Sequence, residues 1–102
     1  MKSITATELA RLIDSKSDFQ LIDVREPEEH AAFNIGGLVI PLNEIVQQAG
    51  KIAADKPVII YCHHGIRSQI AIQRLQEKFA LNNLINLIGG TAAWEKQFTP
   101  NP

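Results

Sequence analysis

The stretch "YCHHGIRS", residues 61–68, holds the only cysteine of the chain, between a tyrosine and two histidines and just ahead of an arginine and a serine. Three chemistries suit such a residue: an inert thiol packed as a small hydrophobe, a metal ligand alongside His63, His64 and His30, or a nucleophile. Position separates them. Cys62 follows the apolar run "VIIY" and precedes an amphipathic segment that opens at Ser68, which puts it at the carboxyl end of a strand, where open α/β sheets bind ligands. The loop "CHHGIRS" is short and has Gly65 at its centre, so its backbone can curl with several N–H groups turned inward as an anion-binding nest. The helix that follows adds the partial positive charge of its N-terminus. A free thiol of pKa about 8.5 is only about 3% ionised at neutral pH, and a drop of roughly two units makes most of it thiolate. That drop needs about 2.7 kcal/mol, a sum that inward N–H groups, a helix start and Arg67 can supply together. These features favour a nucleophile over an inert thiol. Adjacent Cys-His-His has no metal-ligand spacing, because neighbouring side chains point apart, and no metal or other cofactor is expected.

The elements around this loop are read from periodicity. Apolar runs of strand length alternate with helical patterns, the mark of a parallel sheet with crossover helices. "FQLIDV" (19–24), "LVIP" (38–41), "VIIY" (58–61) and "LINLI" (84–88) read as strands, with a short fifth near Ser3 and Ile4. "LVI" and "VII" lack polar alternation, as expected where helices cover both faces. Thr5 and Glu8 form a capping box ahead of Leu9, Leu12 and Ile13 at helical spacing. Pro27 suits the first position of a short helix through Phe33, and Asn43 caps a predicted helix from Glu44 to about Ala53, ended ahead of Pro57. From Ser68, the spacing turns Ile70, Ala71, Leu75 and Phe79 to a core and Gln69, Arg74, Gln76 and Lys78 to water. Thr91, after Gly89 and Gly90, is expected to cap a last helix carrying Ala92, Ala93 and Trp94, with Trp94 in the core.

At 102 residues and 45% hydrophobic, the chain suits one compact domain, 1–102, with "TPNP" (99–102) as a frayed tail. Ten basic residues against eleven acidic ones leave a net charge of -1, without the basic footprint of a nucleic-acid binder. No run approaches membrane-spanning length, and "MKSITATELARLI", with a capping signal and charges in place of an unbroken apolar stretch, is not expected to act as a signal sequence. A lone cysteine suits a reducing compartment, so the expected location is cytoplasmic, with neither nucleic acid nor membrane as partner.

Three ordered segments then resemble the single-domain rhodaneses, a sulfurtransferase family: "LIDVREPEEHAAFNIGGLVIPL" (21–42), "VIIYCHHGIRSQIAIQRL" (58–75) and "LIGGTAAW" (87–94). The resemblance implies an α/β, three-layer rhodanese-like fold, a five-stranded parallel sheet flanked by helices on both faces. It implies Cys62 as a catalytic nucleophile that takes sulfane sulfur as a persulfide from thiosulfate or a persulfide-carrying protein and passes it to cyanide or a thiol. His63, His64, Gly65, Ile66, Arg67 and Ser68 would then bind the substrate, with Asp23 and Arg25 bracing the loop or bordering the pocket. Arg67 could face the anion, or turn outward to Asp23 or Glu26 while its backbone N–H binds. In this superfamily the six-residue loop from cysteine to arginine, as in Cys62 to Arg67, goes with sulfur transfer, and one residue more with phosphatases and arsenate reductases. Asn34 stands where a histidine is common and Gly37 where an alanine is; both positions read as structural, and His30 as a satisfied or surface helix histidine. The competing functions are a rhodanese-type binding or regulatory module without turnover and, more distantly, a cysteine phosphatase.

Overall fold

The computed structural model describes residues 1–98; the expected tail at 99–102 lies outside them. The chain runs β1 (Lys2–Ile4), α1 (Ala6–Asp14), β2 (Gln20–Asp23), α2 (Pro27–Ala32), β3 (Leu38–Val39), two 3-10 turns (Leu42–Glu44 and Ala49–Lys51), β4 (Val58–Tyr61), α3 (Ile66–Lys78), β5 (Leu84–Leu87) and α4 (Gly90–Phe98). The strands form one parallel sheet in the order β1-β5-β4-β2-β3, so the fold is the α/β, five-stranded arrangement expected. Strand alternation divides the core into two layers. Val58, Ile60 and Cys62 join Ile22, Val24, Ala71, Ile72 and Leu75 on the α3 side. Ile59 and Tyr61 join Leu9, Leu87 and the half-buried Trp94 on the other. The period-two rule thus aims the Cys62 side chain at the first turn of α3.

Several boundaries differ from the sequence reading. The capping box is present, with Glu8 N–H on Thr5 Oγ1 at 3.1 Å and Thr5 N–H on Glu8 Oε1 at 3.0 Å. The helix expected from Glu44 to Ala53 is absent and two 3-10 turns replace it. Ile45 and Val46 are β-branched and Gly50 follows, a weak helical composition, and the Gln20 side chain takes the Ala53 N–H (2.7 Å) and donates to Lys51 O (2.8 Å). β3 is an edge strand with Leu38 exposed rather than covered on both faces, since it pairs only with β2. Helix α3 begins at Ile66, two residues before Ser68, because Gly65 at φ 94° turns the chain there. Its buried face is Ser68, Ala71, Ile72 and Leu75, while Phe79, expected inside, is exposed just past the helix end.

Tyr61 ties the centre of the sheet to the turn before β3. Its ring is fully buried, and its hydroxyl donates to Gly36 O (2.8 Å) and accepts from Ile35 N–H (3.2 Å). Burial, the largest influence, pushes the phenol up to about 12. Tyr61→Phe leaves both backbone groups unpaired and is expected to lower stability by about 1–3 kcal/mol, read by urea unfolding; an unchanged midpoint would contradict this role.

Candidate active site

The loop after β4 is shaped by what holds its carbonyls. Thr91 N–H donates to Cys62 O and Ala92 N–H to His63 O, each at 2.9 Å, so the start of α4 pins both carbonyls away from the loop interior. Gly90 makes this approach possible, since a Cβ there would overlap the same two carbonyls. With the carbonyls turned out and Gly65 in the left-handed region, N–H groups turn inward. Gly65 N–H donates to Cys62 Sγ at 3.0 Å, and Ser68 N–H donates to the same sulfur at 3.4 Å.

The sulfur lies at the floor of this cradle, and the residue is 1% exposed. The cradle encloses the thiol, because the sulfur itself fills the position that the N–H groups address. Ser68, fully buried in the first turn of α3, brings its hydroxyl to 3.5 Å from Sγ. Ile66, at the loop's outer side, and His64 are exposed.

Thr91 does not cap α4 as expected. It lies inside the helix, and its hydroxyl meets His63 Nδ1 at 2.9 Å. His63 is therefore a second tie between loop and helix. Of the residues weighed as metal ligands, His63 Nδ1 is on the Thr91 hydroxyl and His30 Nδ1 on Asp23, whereas the rings of His63 and the exposed His64 lie 4.0 Å apart instead of pointing away from each other as expected.

Arg67 turns outward, and its partner is Glu29 rather than Asp23 or Glu26. The pair is bidentate, Nη1 to Oε1 at 2.7 Å and Nη2 to Oε2 at 2.9 Å, the strong fork geometry of guanidinium and carboxylate. Those bonds, before any other influence, hold the Glu29 carboxyl down to about 2 and push Arg67 up. The ion pair joins α2 to the start of α3.

Asp23 and Arg25 are not a solvent-exposed pair. Both are buried, at 0% and 4% exposure. Asp23 Oδ1 accepts from Arg25 N–H (2.9 Å) and Nε (3.0 Å), and Oδ2 meets Arg25 Nη2 at 2.8 Å and His30 Nδ1 at 2.9 Å. The Arg25 guanidinium goes on to Glu29 O (3.3 Å) and Phe33 O (2.6 Å), satisfying carbonyls in and after α2. Asp23 thus fixes Arg25, Arg25 fixes α2, and Glu29 on α2 fixes Arg67. Asn34 completes the helix end by donating to His30 O at 3.0 Å. A cleft of about 310 Å³ lined by Val24, Glu26, Leu42, Asn43, Arg67 and Arg74 lies beside this ion pair.

Sequence reasoning missed Glu29, Asn86 and the hydroxyl of Thr91. Asn86 left a trace: it is the one polar letter inside the apolar run "LINLI", and buried polar groups demand partners.

A family model described as the rhodanese-like domain matches residues 5–97. The chain is 43% identical over 76 residues to the uncharacterized protein YqhL of Bacillus subtilis, covering 74% of this chain and 60% of that protein. It is 36% identical over 98 residues to the thiosulfate sulfurtransferase GlpE of Coxiella burnetii, covering 92% of this chain and 87% of that one. The chain spans as little as 23% of other curated relatives it matches. A crystal structure of a rhodanese-related protein from Thermoplasma volcanium superposes with TM-score 0.82 at 29% identity, covering 98% of this chain and 96% of that chain.

The Arg67–Glu29 link carries a pH signature. The folded carboxyl lies below its ordinary value of 4.5, at about 2, so the stability it adds is complete above about 4.5 and is lost as pH falls through 2. Glu29→Gln is expected to cost about 1 kcal/mol or less at neutral pH, and its deficit against the unaltered chain should shrink between pH 4.5 and 2 in denaturant unfolding. A deficit constant across that interval would contradict the assignment.

Proposed function

The chain belongs to the rhodanese-like family, and we propose on that premise that it is a sulfurtransferase moving sulfane sulfur through a persulfide on Cys62. The observation that carries this reading is the cradle itself: a six-residue loop whose Gly65 and Ser68 N–H groups converge on the Cys62 sulfur. Relatives with a sulfurtransferase name support the same class. In the first step the Cys62 thiolate attacks the outer sulfur of thiosulfate, the sulfur–sulfur bond breaks, and sulfite leaves with the electron pair. A persulfide on a carrier protein serves equally, with that protein's thiolate as leaving group. In the second step cyanide or a thiolate takes the terminal sulfur, and Cys62 regains the pair as thiolate. Each half-reaction conserves charge and needs no metal or redox cofactor.

His63, His64, Gly65, Ile66, Arg67 and Ser68 form the wall around the transferred sulfur in this scheme. Backbone N–H groups supply the anion contacts while the Arg67 side chain stays on Glu29. Asp23 and Arg25 brace the loop through α2 and do not touch the sulfur. We place the whole chain, as one rhodanese-like unit, in a reducing compartment such as the cytoplasm.

One observation favours a second reading, a binding module without turnover: the enclosure of Cys62 at 1% exposure. Intact mass after brief thiosulfate treatment separates the two. Transfer predicts a gain of about 32 mass units, one sulfur atom, that cyanide removes and that Cys62→Ala abolishes. Absence of an adduct with every sulfane donor tried would overturn the sulfurtransferase reading. Hydrolysis of an aryl phosphate dependent on Cys62 would instead favour a phosphatase.

A further inference from the structure

Beneath the first turn of α3, two polar side chains are buried in an otherwise apolar layer. Ser68 is 0% exposed and Asn86 3%. Asn86 lies in β5 opposite Ile60 of β4, and strand alternation puts it on the same side as Leu84, facing α3. Its Oδ1 accepts from the Ser68 hydroxyl at 2.5 Å, and that same hydroxyl oxygen stands 3.5 Å from Cys62 Sγ. The three side chains form a chain from sheet to sulfur. Burying two polar groups in this layer costs free energy that apolar residues would not.

We propose that Asn86 is a positioning residue for Cys62, acting through Ser68: its amide sets the direction of the Ser68 hydroxyl and so helps the sulfur to exist as thiolate. The proposal rests on Cys62 being the nucleophile. A serine hydroxyl has one proton and can also accept. When Cys62 is a thiol, its S–H donates to Ser68 Oγ, and the Ser68 proton goes to Asn86 Oδ1. When the thiol proton has left to base in solution, the sulfur can only accept, and the hydroxyl gains most by turning to donate to it. That turn would strand the amide oxygen. Rotating the amide by half a turn restores the bond, because Nδ2–H then donates to Ser68 Oγ. The two amide orientations have nearly the same shape, so the reversal needs no repacking. Asparagine is suited to this where aspartate, accept-only, and leucine, with neither function, are not. The charged sulfur then has the Ser68 hydroxyl as a donor beside the Gly65 and Ser68 N–H groups.

Cys62 is the only cysteine, so thiolate absorbance near 240 nm as a function of pH reports this sulfur. The titration compares the unaltered chain with Ser68→Ala, Asn86→Ala and the double variant. Arg67 with Glu29, Asp23 with Arg25, and the imidazoles of His63, His64 and His30 keep the same types throughout. Ser68→Ala is expected to move the midpoint upward, with roughly tenfold less thiolate at a given pH below it, as loss of a hydrogen bond to a charged group implies, and Asn86→Ala, which removes only the support of that hydroxyl, to move it the same way by less. The double variant should match Ser68→Ala alone. Asn86→Ala with an unmoved midpoint, or shifts that add in the double variant, would overturn the proposal. Should circular dichroism show Asn86→Ala unfolded, the isosteric Asn86→Asp replaces it. Its upward shift must then be larger with Ser68 than without, and equal shifts would overturn the proposal. Thiosulfate labelling of the unaltered chain separately tests the sulfurtransferase reading, so failure of one is distinguishable from failure of the other.

Discussion

Two hydrogen bonds from the start of α4 to the carbonyls of Cys62 and His63 set the shape of the cysteine loop. A peptide unit that turns its carbonyl one way turns its N–H the other, so fixing these carbonyls outward frees the loop's interior for donors. The inward turn of the loop's N–H groups is therefore imposed from outside, by a helix that does not itself reach the sulfur. Gly90 lets the two backbones meet, and Gly65 takes the left-handed turn that brings its own N–H onto Sγ. The cysteine is placed by still simpler means. It continues the two-residue alternation of β4, which carries its side chain to the α3 layer.

A second set of constraints holds the far side of the loop. Arg67 is spent on Glu29, which is carried by α2, and α2 buries no residue of its own. Such a helix has little hydrophobic reason to stay in place. It is held instead by the Arg25 guanidinium, which donates to Glu29 O and Phe33 O and is itself fixed by the buried Asp23 carboxylate. Removing one partner of a buried pair leaves a desolvated charge, typically a loss of about 3–5 kcal/mol. The polar chain from Asp23 to Arg67 thus does for α2 what apolar packing does for α3.

The sheet and the position of Cys62 were legible because they are local: runs of apolar residues, a capping box and glycines at turns are written in consecutive letters. The neighbours of the site were less so. Glu29 and Arg67 lie 38 positions apart, and nothing in either segment chooses between Glu26 and Glu29 as partner until α2 is seen to present the latter. Thr91 carries a cap-forming side chain after two glycines, yet the helix starts one residue earlier and the hydroxyl serves His63. The expected helix after Asn43 failed because tertiary bonds from Gln20 claimed its backbone, which periodicity alone cannot register.

The account's central claim is that backbone donors, not the Arg67 side chain, hold the negative sulfur. A crystal structure of the thiosulfate-treated chain tests it most directly. The account predicts the outer sulfur of the Cys62 persulfide within roughly 3–4 Å of inward loop N–H groups, with Arg67 still forked onto Glu29 and the Thr91 and Ala92 bonds intact. A structure in which Arg67 leaves Glu29 to bind the outer sulfur, or in which the Cys62 and His63 carbonyls leave α4, would contradict it.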